Sequence, residues 1–144
     1  MSESSDAPDT IDPIVGSCLC GAVRWVARRP PTISMVCHCR SCRRSAGAPA
    51  VAWLTFAMHD LEIVRGVPAA FRSSPPVTRT FCAACGTPLT YVNAERPDEI
   101  DVTTASLDRP ERFPPTYHAW RSDGIDWARF ADDLPAYARS STEG

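Results

Sequence analysis

Seven cysteines, arranged in three short clusters, restrict this 144-residue chain more than any other feature of its sequence. The clusters are CLC (Cys18 and Cys20), CHCRSC (Cys37, Cys39 and Cys42) and CAACG (Cys82 and Cys85). A disulfide inside a C-x-C segment would strain its short ring, because bridged Cα atoms prefer a separation of about 5.5–6 Å. Thiolates bound to one metal ion stand farther apart, which relieves that strain. We therefore predict metal binding, and the odd number of cysteines agrees with this.

The spacing leaves open two ways of dividing these cysteines between metal sites. One joins the second half of the CHCRSC cluster to the CAACG cluster, as in a zinc ribbon. However, 39 residues separate them, where about 15–20 are usual. The other joins the CLC and CAACG clusters into a closed four-sulfur site and leaves CHCRSC as a local three-sulfur site. Spacing favours this second division, in which the CHCRSC cluster is the catalytic candidate because catalytic zinc keeps one position open.

The remaining sequence predicts a mainly β fold of short strands with little helix. Fourteen prolines, about twice the average usage, are scattered through the chain and leave few stretches for a long helix. GAVRWVA alternates and places Val23, Trp25 and Ala27 on one face, whereas AVAWLTF (50–56) is apolar on both faces. Further strand-like segments are LEIVRG, AAFRSS, VTRTF, PLTYV and TYHAW.

Length and charge predict one domain and exclude several classes of partner. We assign residues 14–138 to the domain, 1–13 to a disordered, acidic lead and 139–144 to a flexible tail. The net charge of −2 gives no footprint for nucleic acid or an anionic membrane surface. The lead lacks the features of a signal peptide, and no apolar run approaches the ~20 residues of a membrane span. We therefore expect a cytoplasmic protein with a small-molecule partner, and nothing specifies an oligomeric state.

Several segments beyond the cysteines carry a resemblance to a known family. GSCLCGAVRW, VCHCRSCRRSAGAPAVAWLTF, FCAACGTPLTY and IDVTTASLD occur in order, followed by PPTYHAW and DDLPAY. Over residues 14–138 the chain resembles the glutathione-dependent formaldehyde-activating enzyme family, whose domain is shared with centromere protein V. The resemblance implies a tent-like arrangement of antiparallel sheets pinned by zinc. It also implies a carbon–sulfur lyase, acting as a synthase of S-hydroxymethylglutathione from formaldehyde and glutathione.

The same resemblance implies two zinc ions per chain and a role for every cysteine. A structural zinc would be held by Cys18, Cys20, Cys82 and Cys85. A catalytic zinc would be held by Cys37, Cys39 and Cys42.

Glutathione carries two carboxylates, so its site needs cationic partners. Arg43 and Arg44 directly follow the catalytic cysteines and can form bidentate pairs with carboxylates, although solvated side chains are the plain alternative. His118 matches a histidine of the family pattern and is a candidate for substrate binding, as a general base or as a hydrogen-bond donor to a metal ligand, with a half-buried, satisfied histidine as the alternative. His38, between two ligands, is predicted to point away from the metal.

A second function remains open from the sequence. The domain could be a non-catalytic, zinc-stabilised interaction module, because centromere protein V carries it in a non-metabolic setting. A module would close the fourth metal position with a residue such as His118. An enzyme would keep that position open beside an anion-receptive cleft.

Overall fold

The computed structural model describes residues 12–142, so the predictions for residues 1–11 and 143–144 lie outside it. The strands in this part are β1 (Ile14–Ser17), β2 (Arg24–Ala27), β3 (Ile33–Cys37), β4 (Val51–Ala57), β5 (Leu61–Arg65), β6 (Ala69–Ser74), β7 (Val77–Phe81), β8 (Pro88–Asn93), β9 (Glu99–Thr103) and β10 (His118–Ala119). The helical segments are α1 (Arg40–Ala46) and 3₁₀ turns at Met58–Asp60, Thr104–Ser106, Pro110–Arg112 and Arg121–Asp123. The predicted mainly β fold with little helix is confirmed. None of the described helices has the length and apolar character that a membrane crossing needs.

The strands form two sheets. The smaller has the order β1-β2-β5, and the larger has the order β10-β3-β4-β9-β8-β7-β6. The prediction of antiparallel strands holds for every pair except β10 and β3, which are parallel. Parallel pairing needs a long connection, and here nearly the whole larger sheet intervenes between β3 and β10. The chain thus returns to the outer edge of β3, directly beside the end that carries Cys37.

The main core lies between the two sheets. Its buried side chains come from β1, β2, β4 and β9 and from the turn that follows β9: Ile14, Trp25, Ala27, Leu54, Phe56, Ile100, Val102 and Leu107. Trp25 is fully buried, and its indole N–H donates to Ser106 Oγ at 3.1 Å. Gly16 permits the close approach of β1, because a Cβ there would lie 2.4 Å from the Trp25 ring. The core therefore fixes the small sheet against the large one.

The central strands of the large sheet are buried on both faces. This is confirmed for β4, where both faces of the segment AVAWLTF contribute buried side chains. Strand β9 differs from the alternation of its sequence, because Asp101 and Thr103 are buried as well as Ile100 and Val102. Asp101 remains satisfied there, since Thr55 on β4 donates its hydroxyl to the carboxylate at 2.6 Å.

Candidate metal centres

The four-cysteine centre (Cys18, Cys20, Cys82 and Cys85) joins the two sheets. The CLC cluster follows β1 of the small sheet, and the CAACG cluster lies in the turn between β7 and β8 of the large one. The four sulfur atoms all lie within 4.8 Å of one another. The separations are 3.7 Å for Cys18–Cys20 and 3.8 Å for Cys20–Cys82. A tetrahedron with Zn–S bonds of about 2.3 Å has edges of about 3.8 Å, so this donor set fits one four-coordinate zinc.

Backbone and side-chain donors support the sulfurs of this centre. The N–H of Cys85 donates to Cys82 Sγ at 3.4 Å, and the N–H of Val23 donates to Cys18 Sγ at 3.3 Å. Gly86, with φ of 84°, closes the CAACG turn and donates its N–H to the Cys82 carbonyl. Hydrogen bonds from the Thr87 side chain and backbone lower the pKa of Cys85 to about 5. These contacts favour the thiolate form that a metal requires.

The three-cysteine centre (Cys37, Cys39 and Cys42) is local. Cys37 ends β3, Cys39 caps the N-terminus of α1, and Cys42 lies within that helix. The N–H of Cys42 donates to Cys39 Sγ at 3.3 Å, and the helix ends at Gly47, whose φ is 63°. The three sulfur atoms lie within 4.8 Å of one another. The end of β3, the N-cap of α1 and its first turn therefore bring the three thiols together.

The three thiols are strongly coupled because they are close and largely buried. Cys37 and Cys42 are 5% and 4% exposed, and Cys39 is half-buried. Hydrogen bonds from Cys37 and Cys42 hold the pKa of Cys39 far below its usual value, whereas the hydrogen bond to Cys39 raises the pKa of Cys37. A single divalent cation bound here would replace the thiol protons, because cysteine binds metals as the thiolate.

Within residues 12–142 no fourth histidine, cysteine, aspartate or glutamate brings a ligand atom into the three-cysteine cluster. The structure also separates Cys39 and Cys42 from Cys82 and Cys85, which a zinc ribbon would join. The seven cysteines therefore form one set of four and one set of three. Each set can hold a metal ion.

The two central histidines bind each other rather than the cysteines. His118 Nε2 lies 3.1 Å from the Asp132 carboxylate and donates to it, and His118 Nδ1 shares a hydrogen bond of 2.9 Å with His38 Nε2. His38 is 1% exposed, and burial, followed by the charges of Arg121 and His118, lowers its pKa to about 4. Both ring nitrogens of His118 are engaged in this arrangement, and a direct contact with substrate stays a prediction.

Arg43 and Arg44 lie on α1 and line an open cavity of about 500 Å³. The rest of its lining comes from Gly47, Ala48, Pro49, Ile125 and Trp127, and none of the seven cysteines takes part. Arg43 Nε is buried without a hydrogen-bond partner in the described chain. Arg43 and Arg44 directly follow Cys42 in the sequence of α1, and their contact with a substrate at the three-cysteine centre stays a prediction.

Arg79, a buried arginine that contacts the three-cysteine centre, was not predicted from the sequence. Its Nη1 and Nη2 atoms both lie 3.8 Å from Cys42 Sγ. The available signal was the alternation in VTRTF, which places Arg79 on the same inward face of β7 as Val77. A charged residue at an inward position requires a buried partner.

The fold and the two cysteine sets define a mainly β protein with two candidate metal centres, one closed by four sulfurs and one with three. A family model described as glutathione-dependent formaldehyde-activating enzyme matches residues 13–123, a range that includes all seven cysteines. The chain belongs to this family.

A crystal structure of a Rhodobacter sphaeroides protein shares the fold. It is 22% identical in sequence, with a TM-score of 0.55, and the match covers 85% of this chain and 99% of that chain. No curated protein matches this chain.

Proposed function

We propose that this protein is a zinc-dependent carbon–sulfur lyase of the cytoplasm that acts on the glutathione adduct of formaldehyde, or on a closely related thiol adduct. The observation that carries the proposal is the three-cysteine set, which has no fourth protein ligand among the described residues. Structural zinc sites are closed by four protein ligands, whereas catalytic sites keep a position for water or substrate. Family membership supports the substrate class.

Both donor sets suit zinc, because clustered thiolates select soft or borderline cations and not magnesium or calcium. We assign the four-cysteine centre to a structural zinc that pins the CLC cluster to the β7–β8 turn. We assign Cys37, Cys39 and Cys42 to a catalytic zinc. Bound there, zinc supplies a Lewis acid that favours the thiolate of an incoming thiol or polarises a carbonyl oxygen.

The reaction forms one bond between the glutathione sulfur and the formaldehyde carbon, and the thiol proton ends on the former carbonyl oxygen. Water competes for formaldehyde, so the burial of Cys37 and Cys42 protects one side of the centre. Cys39 is the more accessible of the three, which leaves its side for substrate. Arg43 and Arg44 would bind the carboxylates of glutathione, since a guanidinium forms paired hydrogen bonds with a carboxylate.

The alternative of a non-catalytic interaction module requires a closed second metal site. His118 was the candidate for closing it, yet its two nitrogens bind His38 and Asp132. With that residue committed elsewhere, the three-cysteine set stays one ligand short. This difference from the four-cysteine centre favours the enzyme.

Exchange NMR on glutathione and formaldehyde tests the proposal, because it measures adduct formation at equilibrium. We expect the wild-type protein with two zinc ions per chain to accelerate the exchange above the spontaneous rate. Cys42→Ser is the matched control, and it should lose the acceleration together with one zinc ion. An unchanged exchange rate at full zinc occupancy would contradict the proposed activity.

A further inference from the structure

Arg79 is the buried charged group closest to the three-cysteine centre, and its side chain is held from several sides. It lies on β7 and is 8% exposed. Nε donates to Ser73 Oγ at 3.1 Å, and Nη1 donates to Ser45 Oγ at 3.2 Å. Its Cζ atom lies 5.0 Å from the centre of the Tyr91 ring. These contacts fix the guanidinium with both Nη atoms directed at Cys42 Sγ.

A buried guanidinium is costly unless an anion compensates its charge. Among the ion pairs found within residues 12–142, none includes Arg79. Its hydroxyl and ring partners carry no formal charge. The sulfur of Cys42 is therefore the anionic partner that the structure provides.

The charge of the centre agrees with this pairing. Three thiolates and one divalent cation sum to −1, and one arginine brings the sum to zero. The four-cysteine centre would carry −2, but Cys20 is exposed there, so water can solvate the charge. At the other centre no cysteine is exposed, since Cys37 and Cys42 are buried and Cys39 is half-buried, so a protein cation compensates the charge more effectively there than water does.

Resting on the proposed function, we propose that Arg79 is the counter-ion of the three-cysteine metal centre, a positioning residue that stabilises the metal-bound Cys42 thiolate. Hydrogen bonds from both Nη atoms also draw electron density from the sulfur. Cys42 then donates less charge to the metal, which keeps the open position a stronger Lewis acid than three unsupported thiolates would allow.

Three variants separate this role from a structural one. Arg79→Met removes the charge and keeps much of the side-chain length, and Arg79→Lys keeps the charge but loses the forked geometry. Arg72→Met is the matched control, because Arg72 is an exposed arginine on the adjacent strand β6 whose guanidinium contacts a carbonyl at Pro75. All are compared with the wild-type protein carrying two metal ions.

Zinc affinity, measured by competition with a chromogenic chelator, is the first readout. Loss of a hydrogen-bond partner of a metal ligand typically costs about 10–100-fold in affinity. We expect Arg79→Met to lower the affinity for one of the two zinc ions by that factor and to leave the affinity for the other unchanged. Arg79→Lys should lose less zinc affinity than Arg79→Met, and Arg72→Met should bind both zinc ions as tightly as the wild type.

Cadmium NMR of the same proteins is the second readout, since the cadmium shift reports on the electron donation of each sulfur. Arg79→Met should move one resonance, the one that Cys42→Ser abolishes. A folded Arg79→Met protein with both affinities and both resonances unchanged would overturn the inference, as would equal weakening of both sites. Should Arg79→Met not fold, Arg79→Lys decides by the same criteria. A wild-type protein that binds one metal would contradict the proposed function and this inference with it.

Discussion

The sulfur atoms of Cys20 and Cys82 lie 3.8 Å apart, although 62 positions separate the two residues in the chain. Cys20 belongs to the loop that follows β1 of the small sheet, and Cys82 directly follows β7 of the large one. A metal at this point would cross-link the two sheets at one end of the molecule. The three-cysteine centre spans only the junction of β3 and α1. The two centres should therefore contribute very differently to stability.

Cys82→Ser should destabilise the protein far more than Cys42→Ser. Structural zinc supplies about 10–16 kcal/mol of apparent binding energy in small zinc domains, so loss of a ligand at the four-cysteine centre should abolish cooperative folding. Thermal unfolding followed by circular dichroism, with zinc content measured on the same samples, checks this. A Cys82→Ser protein that unfolds like Cys42→Ser would show that the four-cysteine centre does not hold the sheets together.

Cys42→Ser should retain the fold and one zinc ion per chain but lose activity. Removing a hydrogen-bond partner of a metal ligand lowers metal affinity or activity about 10–100-fold, and removing the ligand itself should lower them at least as much. The measurement is the exchange rate at equal protein concentration, with near-ultraviolet circular dichroism as the control for folding. Activity within a factor of two of the wild type would exclude Cys42 from the catalytic centre.

Gly16→Ala should lower the free energy of unfolding by about 1–3 kcal/mol, the usual cost of overpacking a core. The added Cβ would lie 2.4 Å from the Trp25 ring and 2.5 Å from the Ser106 carbonyl oxygen, so the ring or the strand must move. Urea unfolding gives the change directly. Ser17→Ala on the same strand removes only a hydrogen bond to the adjacent carbonyl, and it serves as the control. Equal stability of the two variants would contradict the packing described here.

Asp101→Asn should stabilise the protein at neutral pH. Burial raises the pKa of Asp101, while the Thr55 hydroxyl and Arg96 oppose the shift. Because the pKa of this carboxyl group is higher in the folded protein than in the unfolded chain, its ionisation destabilises the fold. The wild type therefore loses stability as the pH rises through the folded-state pKa. The asparagine can still accept from Thr55.

The difference in unfolding free energy between Asp101→Asn and wild type should therefore be positive at pH 7 and shrink as the pH falls towards 4. Urea unfolding of the zinc-loaded proteins at several pH values measures this difference. Asp98→Asn, which removes an exposed carboxylate nearby, is the control for the loss of one negative charge. If the difference in unfolding free energy did not change with pH, ionisation of Asp101 would not destabilise the native protein.

Local patterns in the sequence predict most strands but not their partners. Alternation indicates β2 through Val23, Trp25 and Ala27, and the long apolar run indicates β4. Strand β3 was not predicted, because its sequence ISMVC does not alternate between polar and apolar residues, and in the fold only its last two residues are buried. The parallel pairing of β10 with β3 depends on the whole intervening sheet, and no local pattern encodes it.

The same limit applies to the candidate site. Cysteine spacing suggests the division into four and three because each cluster is short and its geometry is local. Arg79 reaches Cys42 across 37 positions, through the pairing of β7, β8, β9 and β4. Its inward position is visible in VTRTF, but the group it meets depends on the register of four strands. The hydrogen bond between His38 and His118 depends on the parallel strand in the same way.

The most direct test of two unlike metal centres is a glutathione titration of the cadmium-loaded protein followed by cadmium NMR. We expect two cadmium resonances. One should move on addition of glutathione and be absent from Cys42→Ser, and the other should stay constant. Glutathione is expected to reach only the centre with three protein sulfurs. A single resonance, or two resonances that both stay unchanged on addition of glutathione, would contradict the assignment of the three-cysteine centre as the catalytic site.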